Sequence, residues 1–292
     1  MSKFQGNKIN PAKFHRSQLK FYVILLPLTV FMFLPVLYII NHAFKPLDEL
    51  FMFPPRLFVQ RPTMDNFRML WRAASTTGVP MSRYLFNSVV VATFTVVTNI
   101  LIVAMAGYAL SKKRFKLKQK LLNINQLALM FVPIAVTIPR YLIIEQLGLV
   151  NNFAVHILPL LAMPVGLFLV KQFIDQVPDA LIESAKIDGA NDLYILTKVV
   201  MPIIGPAIAT VALLTFQIVW NNVETSNLFV TDESIKTLAF YLSVFTDRVA
   251  EGSIAGAGLA AVASLIMFVP NLIIFIVMQS RVMNTMSHSG IK

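Results

Sequence analysis

The hydrophobic residues of this chain are gathered into six long stretches that polar segments separate. Each stretch is close to the roughly 20 mostly apolar residues with which an α-helix crosses a bilayer, and none contains Asp, Glu, Lys or Arg. The stretches are residues 21–40, 86–110, 121–139, 153–170, 199–220 and 254–280. The pattern predicts an all-α integral membrane protein with about six transmembrane helices.

The six predicted spans form one helical membrane domain, residues 21–280, between an N-terminal segment (1–20) and a tail (281–292). We interpret the first apolar run as a retained span, because it is as long as a span and no small-residue cleavage site follows it. Prolines occur in most spans, and small residues cluster at 255–258. Both features favour a packed bundle, in which neighbouring helices satisfy freed carbonyl groups and approach closely.

The basic residues predict the orientation of the chain in the membrane. The N-terminal segment holds five Lys or Arg residues, and the loop between spans two and three holds six. Such clusters mark the cytoplasmic side. With six spans, both termini and the loop 171–202 are then cytoplasmic, whereas the segments 41–85, 140–152 and 221–253 lie outside.

Composition excludes several classes of protein. The chain is 57% hydrophobic and 13% charged, whereas a soluble domain has about 25% charged residues. The absence of Cys excludes disulfides and thiolate metal sites, and we predict no metal site. No glycine is followed by Lys, so the chain lacks a phosphate-binding loop. The His residues are scattered and no span holds a carboxylate pair, so we predict neither catalytic residues nor an enzyme.

The loop 171–202 is unusually long and patterned for a link between two spans. Pro178 suits the first turn of a helix, Gly189 suits a left-handed helix stop, and Asn191 can cap a second short helix. An apolar stripe runs along the first helix at Leu181, Ile182 and Ala185. The loop is net acidic, which argues against nucleic acid. Either an amphipathic interfacial helix or a docking element with a small, polar tip fits this pattern.

Residues 183–190 of the loop, which read ESAKIDGA and lead on to Pro202, resemble the EAA motif of ABC importer permeases. Ser184 stands where that family usually has Ala, a small-for-small change. The segments 44–50, 62–67, 147–152 and 220–222 are similar to segments of maltose-type sugar permeases. The short N-terminus and six spans resemble the smaller, maltose-G-like subunit of that family, which has the ABC type I importer permease architecture.

The resemblance implies the partners and the mechanism. They are a second homologous permease subunit, two ABC ATPase subunits that bind ATP and Mg²⁺, an extracytoplasmic sugar-binding protein and the lipid of a bacterial cytoplasmic (inner) membrane. This chain would bind no cofactor itself. The EAA loop would sit in an ATPase cleft and transmit ATP-driven closure to the spans, giving alternating access.

The resemblance also implies roles within the EAA loop. Glu183 would pair with a basic ATPase residue, and Asp188 would cap or brace the turn. Small residues would permit close approach to the ATPase. They are Ala185, Gly189 and Ala190, and Ser184 completes the ATPase-coupling run.

Polar residues in or beside the spans are candidates for lining a sugar path, because polar groups at membrane depth are costly. They are Arg140, Gln126, Gln217, Trp220, Asn221 and Asn271. Trp220 could serve as a stacking platform, and Arg140 could favour an acidic (uronate) sugar. The alternatives are hydrogen bonds between helices and, for Arg140, a side chain that reaches the membrane interface. The segment 221–253 could dip into the binding protein or be a solvated connection.

Two other kinds of transporter remain as alternatives. One is an ABC permease for a non-sugar solute, against which the sugar-permease-like segments argue. The other is a secondary carrier, which often has inverted repeats and charges within its spans. Neither feature is found in this sequence.

Overall fold

A computed structural model of the chain describes residues 18–75, 78–250 and 254–289. Most of the predicted N-terminal segment, together with residues 290–292 of the predicted tail, lies outside these ranges. The described residues form helices and no strand. The α-helices are α1 (Leu19–Phe44), α2 (Leu47–Leu50), α3 (Asp65–Ser75), α4 (Met81–Lys112), α5 (Lys118–Met130), α6 (Thr137–Gln146), α7 (Pro164–Asp175), α8 (Asp179–Ile187), α9 (Asp192–Tyr194), α10 (Met201–Ile203), α11 (Gly205–Trp220), α12 (Glu224–Phe229), α13 (Leu238–Ala250) and α14 (Ile254–Ser289).

Shorter turns link several of these helices. 3₁₀ turns cover Pro133–Val136, Phe153–His156, Leu158–Leu161 and Glu233–Ile235, and a π-helical turn covers Ile195–Val200.

Among the described residues, three helices are long and apolar enough to cross a membrane unbroken, and three bent pairs meet the same test together. The unbroken helices are Leu19–Phe44, Met81–Lys112 and Gly256–Ser280. The bent pairs are Lys118–Met130 with Pro133–Gln146, Phe153–Leu161 with Pro164–Asp175, and Asp192–Ile203 with Gly205–Trp220. If each pair is one span, the chain has the six spans that its hydropathy predicts.

Prolines at the breaks explain why three spans bend. The pair that forms span three turns through 111°, because Val132 is extended before Pro133 and the chain cannot continue as an α-helix there. The hydropathy of residues 121–139 predicted a span here but not this bend. Span four bends by 44° before Pro164, and span five bends by 87° before Gly205 and Pro206.

The described residues fall into two compact units. The first unit contains the described residues up to Leu70 and those within 249–265. The second unit contains the described residues of Trp71–Arg248 and those from Ile266 onward. In the first unit the segment after α1 is folded, since Asn66 Nδ2 donates to the carbonyls of Ala43 and Lys45 at 3.1 and 2.8 Å. A Cβ on Gly258 would lie 2.9 Å from the Asn66 side chain, so this small residue permits close packing.

The second unit packs around a buried core between α4, α7 and α11. A Cβ on Gly107 of α4 would lie 3.0 Å from Val170 and 3.3 Å from Ile174 of α7, so glycine brings the two helices close together. Ile182 of α8 is buried in the same core. The loop 171–202, called the coupling loop below after the role that the EAA resemblance implies, is therefore packed against this core and is not a free connection.

Candidate functional site

The helix α8 ends in a backbone motif that Gly189 makes possible. The N–H of Ala190 donates to the carbonyl of Ala185 at 2.9 Å, and the N–H of Gly189 donates to that of Lys186 at 3.0 Å. This is the Schellman arrangement, which needs a left-handed residue at its centre. Gly189 supplies it with a φ of 82°. The predicted helix stop is thus present.

The apolar residues of this loop divide into a buried set and an exposed set. Ile182 is 5% exposed, and Ala185 and Ala190 pack against the same core. By contrast, Ile187 is 86% exposed and Leu193 is 64% exposed. The tip of the loop therefore presents apolar side chains, whereas the sequence suggested a small and polar tip.

The polar residues of the EAA run are mostly exposed. Ser184 Oγ donates to the carbonyl of Leu181 at 3.1 Å. Asp188 is exposed, and its carboxylate has no hydrogen-bond partner among the residues that the structure describes. The separate cap predicted from Asn191 is present, since its Oδ1 accepts the N–H of Tyr194 at 2.8 Å. The role of Asp188 in capping or bracing the turn stays a prediction.

Glu183 lines a polar cavity of about 440 Å³ beside α8. Five cationic and three anionic side chains line this cavity. They are Lys112, Lys113, Arg114, Lys118 and Lys186, with Asp175, Asp179 and Glu183. Within the described part of the chain, Glu183 is exposed and forms no ion pair.

The cavity joins two loops that the sequence predicted to lie on one side of the membrane. Lys112, at the end of span two, contacts Asp179 of the coupling loop at 2.7 Å. The hydrogen bond and the charge of Lys112 lower the pKa of Asp179 from its usual value of 3.8. Asp179 therefore stays ionised at neutral pH, and the contact is an ion pair.

Four candidates for the sugar path lie together where α11 ends. Asn271 Nδ2 lies 3.3 Å from Asn221 Oδ1, and Asn221 Nδ2 donates to the carbonyl of Gln217 at 2.8 Å. Trp220 precedes Asn221 but is only 5% exposed and stacks on Phe216 at 5.5 Å between ring centroids. The Trp220 ring is therefore covered in this structure, and its role as a stacking platform stays a prediction.

The remaining two candidates lie apart from this cluster. Arg140 Nη1 lies 3.2 Å from Glu224 Oε2, and their side chains are 24% and 34% exposed. The Arg140 charge is thus compensated by a residue that the sequence did not single out. Gln126 lines a separate cavity of about 80 Å³ between α5 and α7. Its neighbour Asn125 donates to the carbonyl of Pro164 at 3.2 Å, which is a hydrogen bond between helices.

The segment between spans five and six is fixed to the rest of its unit by side-chain hydrogen bonds. Asn151 Oδ1 accepts the N–H groups of Thr231 and Asp232 at 3.1 and 2.8 Å. Asn87 Nδ2 donates to the carbonyls of Ser234 and Lys236 at 2.9 and 2.8 Å. A solvated connection is therefore the wrong description, although Thr231 and Asp232 remain exposed at the tip.

His156 belongs to the same set of anchors. Its Nε2 lies 3.0 Å from the carbonyl of Ile235, and its Nδ1 lies 2.8 Å from the hydroxyl of Thr225. A carbonyl oxygen only accepts, so Nε2 carries a proton. The ring is fully buried, which makes it a structural histidine.

A series of straight and bent spans with a helix–turn–helix between spans four and five is typical of a multi-pass membrane permease. Residues 99–280 match the family described as the inner membrane component of binding-protein-dependent transport systems. The chain belongs to this family. It is therefore a transport subunit that works with a binding protein, and it is not itself an enzyme.

Individual relatives agree with this assignment. The chain is 27% identical to a sulfoquinovosyl glycerol transport system permease from Agrobacterium fabrum, over 88% of each chain. It is 29% identical to a trehalose/maltose transport system permease from Thermococcus litoralis, over 84% of this chain and 86% of the relative. The resemblance to carbohydrate permeases is thus confirmed.

A solved structure shares the fold. It comes from a bacterial ABC transporter involved in the import of the acidic polysaccharide alginate. The match has a TM-score of 0.74 and 21% identity, and it covers 93% of this chain and 99% of the other. The fold is therefore that of an ABC importer permease.

Proposed function

We propose that this chain is one permease subunit of an ATP-driven importer that takes up an oligosaccharide from an extracytoplasmic binding protein. The names of its relatives support a sugar substrate, since they include trehalose/maltose and sulfoquinovosyl glycerol permeases. The observation that carries the mechanism is the exposed apolar tip of the coupling loop, held on a defined helix and turn.

The coupling loop is suited to docking against an ABC ATPase. Large exposed apolar side chains that project from a rigid element typically anchor protein interfaces. Here they are Ile187, Leu193 and Tyr194, with 86%, 64% and 55% of their surface exposed. Two ATPase subunits would bind ATP and Mg²⁺, and closure of their dimer would displace α8. The displacement would open the bundle alternately to the two sides of the membrane.

A second permease subunit would cover the first span. Most of α1 is exposed, and an apolar groove of about 750 Å³ runs along it. The groove is lined mainly by α1 residues together with Leu57 and Phe58. In this proposal the N- and C-termini and the coupling loop lie in the cytoplasm, as the basic clusters predict.

The proposal is tested with the importer purified as a complex with its partner permease, ATPase and binding protein in proteoliposomes. Maltotriose and trigalacturonate serve as neutral and acidic probes. In the wild type, one of them should stimulate ATP hydrolysis and be transported. Glu183→Gln should reduce this stimulation about tenfold, because the charged partner at the ATPase loses its counter-ion.

Glu145→Gln is the matched control, since Glu145 is also an exposed carboxylate on a helix but lies outside the coupling loop. It should behave as the wild type does. An ATPase that never associates with the permease would overturn the coupling proposal. Stimulation by a non-sugar solute, with none by either probe, would overturn the sugar assignment.

The Arg140–Glu224 pair gives a separate prediction about substrate charge. Because the two charges compensate each other, removing both together in Arg140→Gln/Glu224→Gln should leave the ratio of acidic to neutral sugar uptake within about twofold of the wild type. Uptake of both probes measures this ratio. A loss confined to trigalacturonate would show instead that the Arg140 charge is used by an acidic substrate.

A further inference from the structure

Three consecutive residues at and just after the end of α4, residues 111–113, contact three successive parts of the coupling loop. The first contact joins α4 to the end of α7. Ser111 Oγ donates to Asp175 Oδ1 at 2.5 Å. Asp175 also pairs with Lys171 on its own helix. The end of span two is therefore linked to the point where the coupling loop leaves span four.

The second contact joins α4 to the beginning of α8. Lys112 Nζ lies 2.7 Å from Asp179 Oδ1 and donates to the carbonyl of Val177 at 2.6 Å. The Lys112 side chain is only 10% exposed. Lys112 thus holds both Asp179, the first residue of α8, and the backbone carbonyl of Val177 just before it.

The third contact joins α4 to the beginning of α9, beyond the Gly189 turn. Lys113 Nζ lies 2.6 Å from both carboxylate oxygens of Asp192. Tyr108, one turn earlier on α4, places its hydroxyl 3.4 Å from Asp192 Oδ1. The two lysines therefore hold the coupling element on both sides of its turn.

We propose that Lys112 and Lys113 form a two-arm clamp that makes span two move together with the coupling helix. This inference rests on the proposed function, in which an ATPase displaces α8. Without the clamp, the displacement would reach the bundle through spans four and five, to which α8 is covalently joined, and through the apolar packing of Ile182. With it, α4 is also drawn along by charge, because α8 and α9 cannot shift against the end of α4 unless the ion pairs at Asp179 and Asp192 break.

The two lysines are positioning residues, so the test measures coupling and not only activity. The test measures the coupling ratio in proteoliposomes, which is the number of sugar molecules transported per ATP hydrolysed. The sugar is maltotriose or trigalacturonate, whichever the wild type transports. Lys113→Glu and Asp192→Lys should each lower this ratio about threefold to fivefold, the range of a partly exposed ion pair. The exchange Lys113→Glu/Asp192→Lys should restore it to within about twofold of the wild type.

Arg68→Gln is the matched control. Arg68 forms an ion pair with Asp65 at 3.4 Å, but both residues lie on α3 and the pair includes no residue of α4 or of the coupling loop. Its coupling ratio should stay at the wild-type value. Lys112→Met tests the ion pair with Asp179 and should also lower the coupling ratio. Because salt screens ion pairs, a higher salt concentration should lower the coupling ratio of the wild type more than that of Lys112→Met.

The outcomes separate failure of the clamp from failure of the proposed function. A wild-type complex whose ATP hydrolysis ignores both sugars contradicts the proposed function itself. A wild type that couples normally, with single variants that couple equally well, overturns the clamp alone. The clamp is also overturned if the double variant Lys113→Glu/Asp192→Lys couples no better than the two single variants. Exchanging the charges restores the ion pair, so the ion pair would then not explain the loss of coupling.

Discussion

Replacing Gly189 by valine is expected to reduce sugar-stimulated ATP hydrolysis and transport at least about tenfold. The space around Gly189 is open, since a Cβ there would meet nothing within 4 Å. The effect is therefore conformational: a β-branched residue at a φ of 82° costs about 1–3 kcal/mol. The turn can relieve this strain by giving up the bond from Ala190 to Ala185, which would reorient Ile187 relative to Leu193.

Gly148 offers a close control for that experiment. It ends α6 in the same motif, with Leu149 N–H donating to the Ile144 carbonyl at 3.1 Å and Gly148 N–H to that of Glu145 at 2.9 Å. Its φ is 66°, and a Cβ there would also meet nothing within 4 Å. Gly148→Val should thus lose similar thermal stability but keep coupling. Equal losses of transport in both variants would mean that strain alone, and not the coupling turn, limits function.

Replacing Ile187 by aspartate is expected to separate the permease from its ATPase. The side chain is 86% exposed, so the substitution should change the free energy of unfolding by about 0.5 kcal/mol or less. In the proposed complex the side chain is a central apolar anchor, and loss of such an anchor costs about 2–4 kcal/mol. The affinity for the ATPase should therefore fall about thirtyfold or more.

Co-purification of the ATPase with tagged permease, followed by titration of the solubilised subunits, measures this effect. Ile187→Val retains an apolar side chain and should bind within about threefold of the wild type. Unchanged ATPase affinity in Ile187→Asp would contradict docking through the tip of the loop. Loss of the folded permease, seen as aggregation on a sizing column, would contradict the prediction that this side chain is dispensable for folding.

Hydropathy was sufficient to locate the spans, but it did not predict where they break. Pro27 and Pro35 lie inside the continuous helix α1, and Pro270 lies inside α14. Pro133 instead begins a new turn after a 111° bend. A proline removes one donor in every case. Whether the helix kinks or breaks depends on which neighbours satisfy the freed carbonyls, and the sequence pattern does not contain that information.

In the site, too, features that depend on neighbouring residues could be predicted, whereas contacts between distant parts of the chain could not. Gly189 and Asn191 were predicted because a helix stop and a helix cap depend on residues within one turn. The partner of Arg140 was missed because Glu224 lies 84 positions away. The contacts of Lys112 and Lys113 were also missed, since the basic run was interpreted only as a signal of orientation. Comparing it with the net acidic coupling loop would have suggested a pairing.

A protein that docks on the exposed tip at Thr231 and Asp232 meets a surface that is already ordered. The amides of Asn151 and Asn87 hold the backbone of this segment in one conformation. Binding there would lose little conformational entropy, since the loop need not be ordered during the encounter. Association would then resemble rigid-body docking, with its rate set by diffusion and orientation more than by rearrangement of this chain.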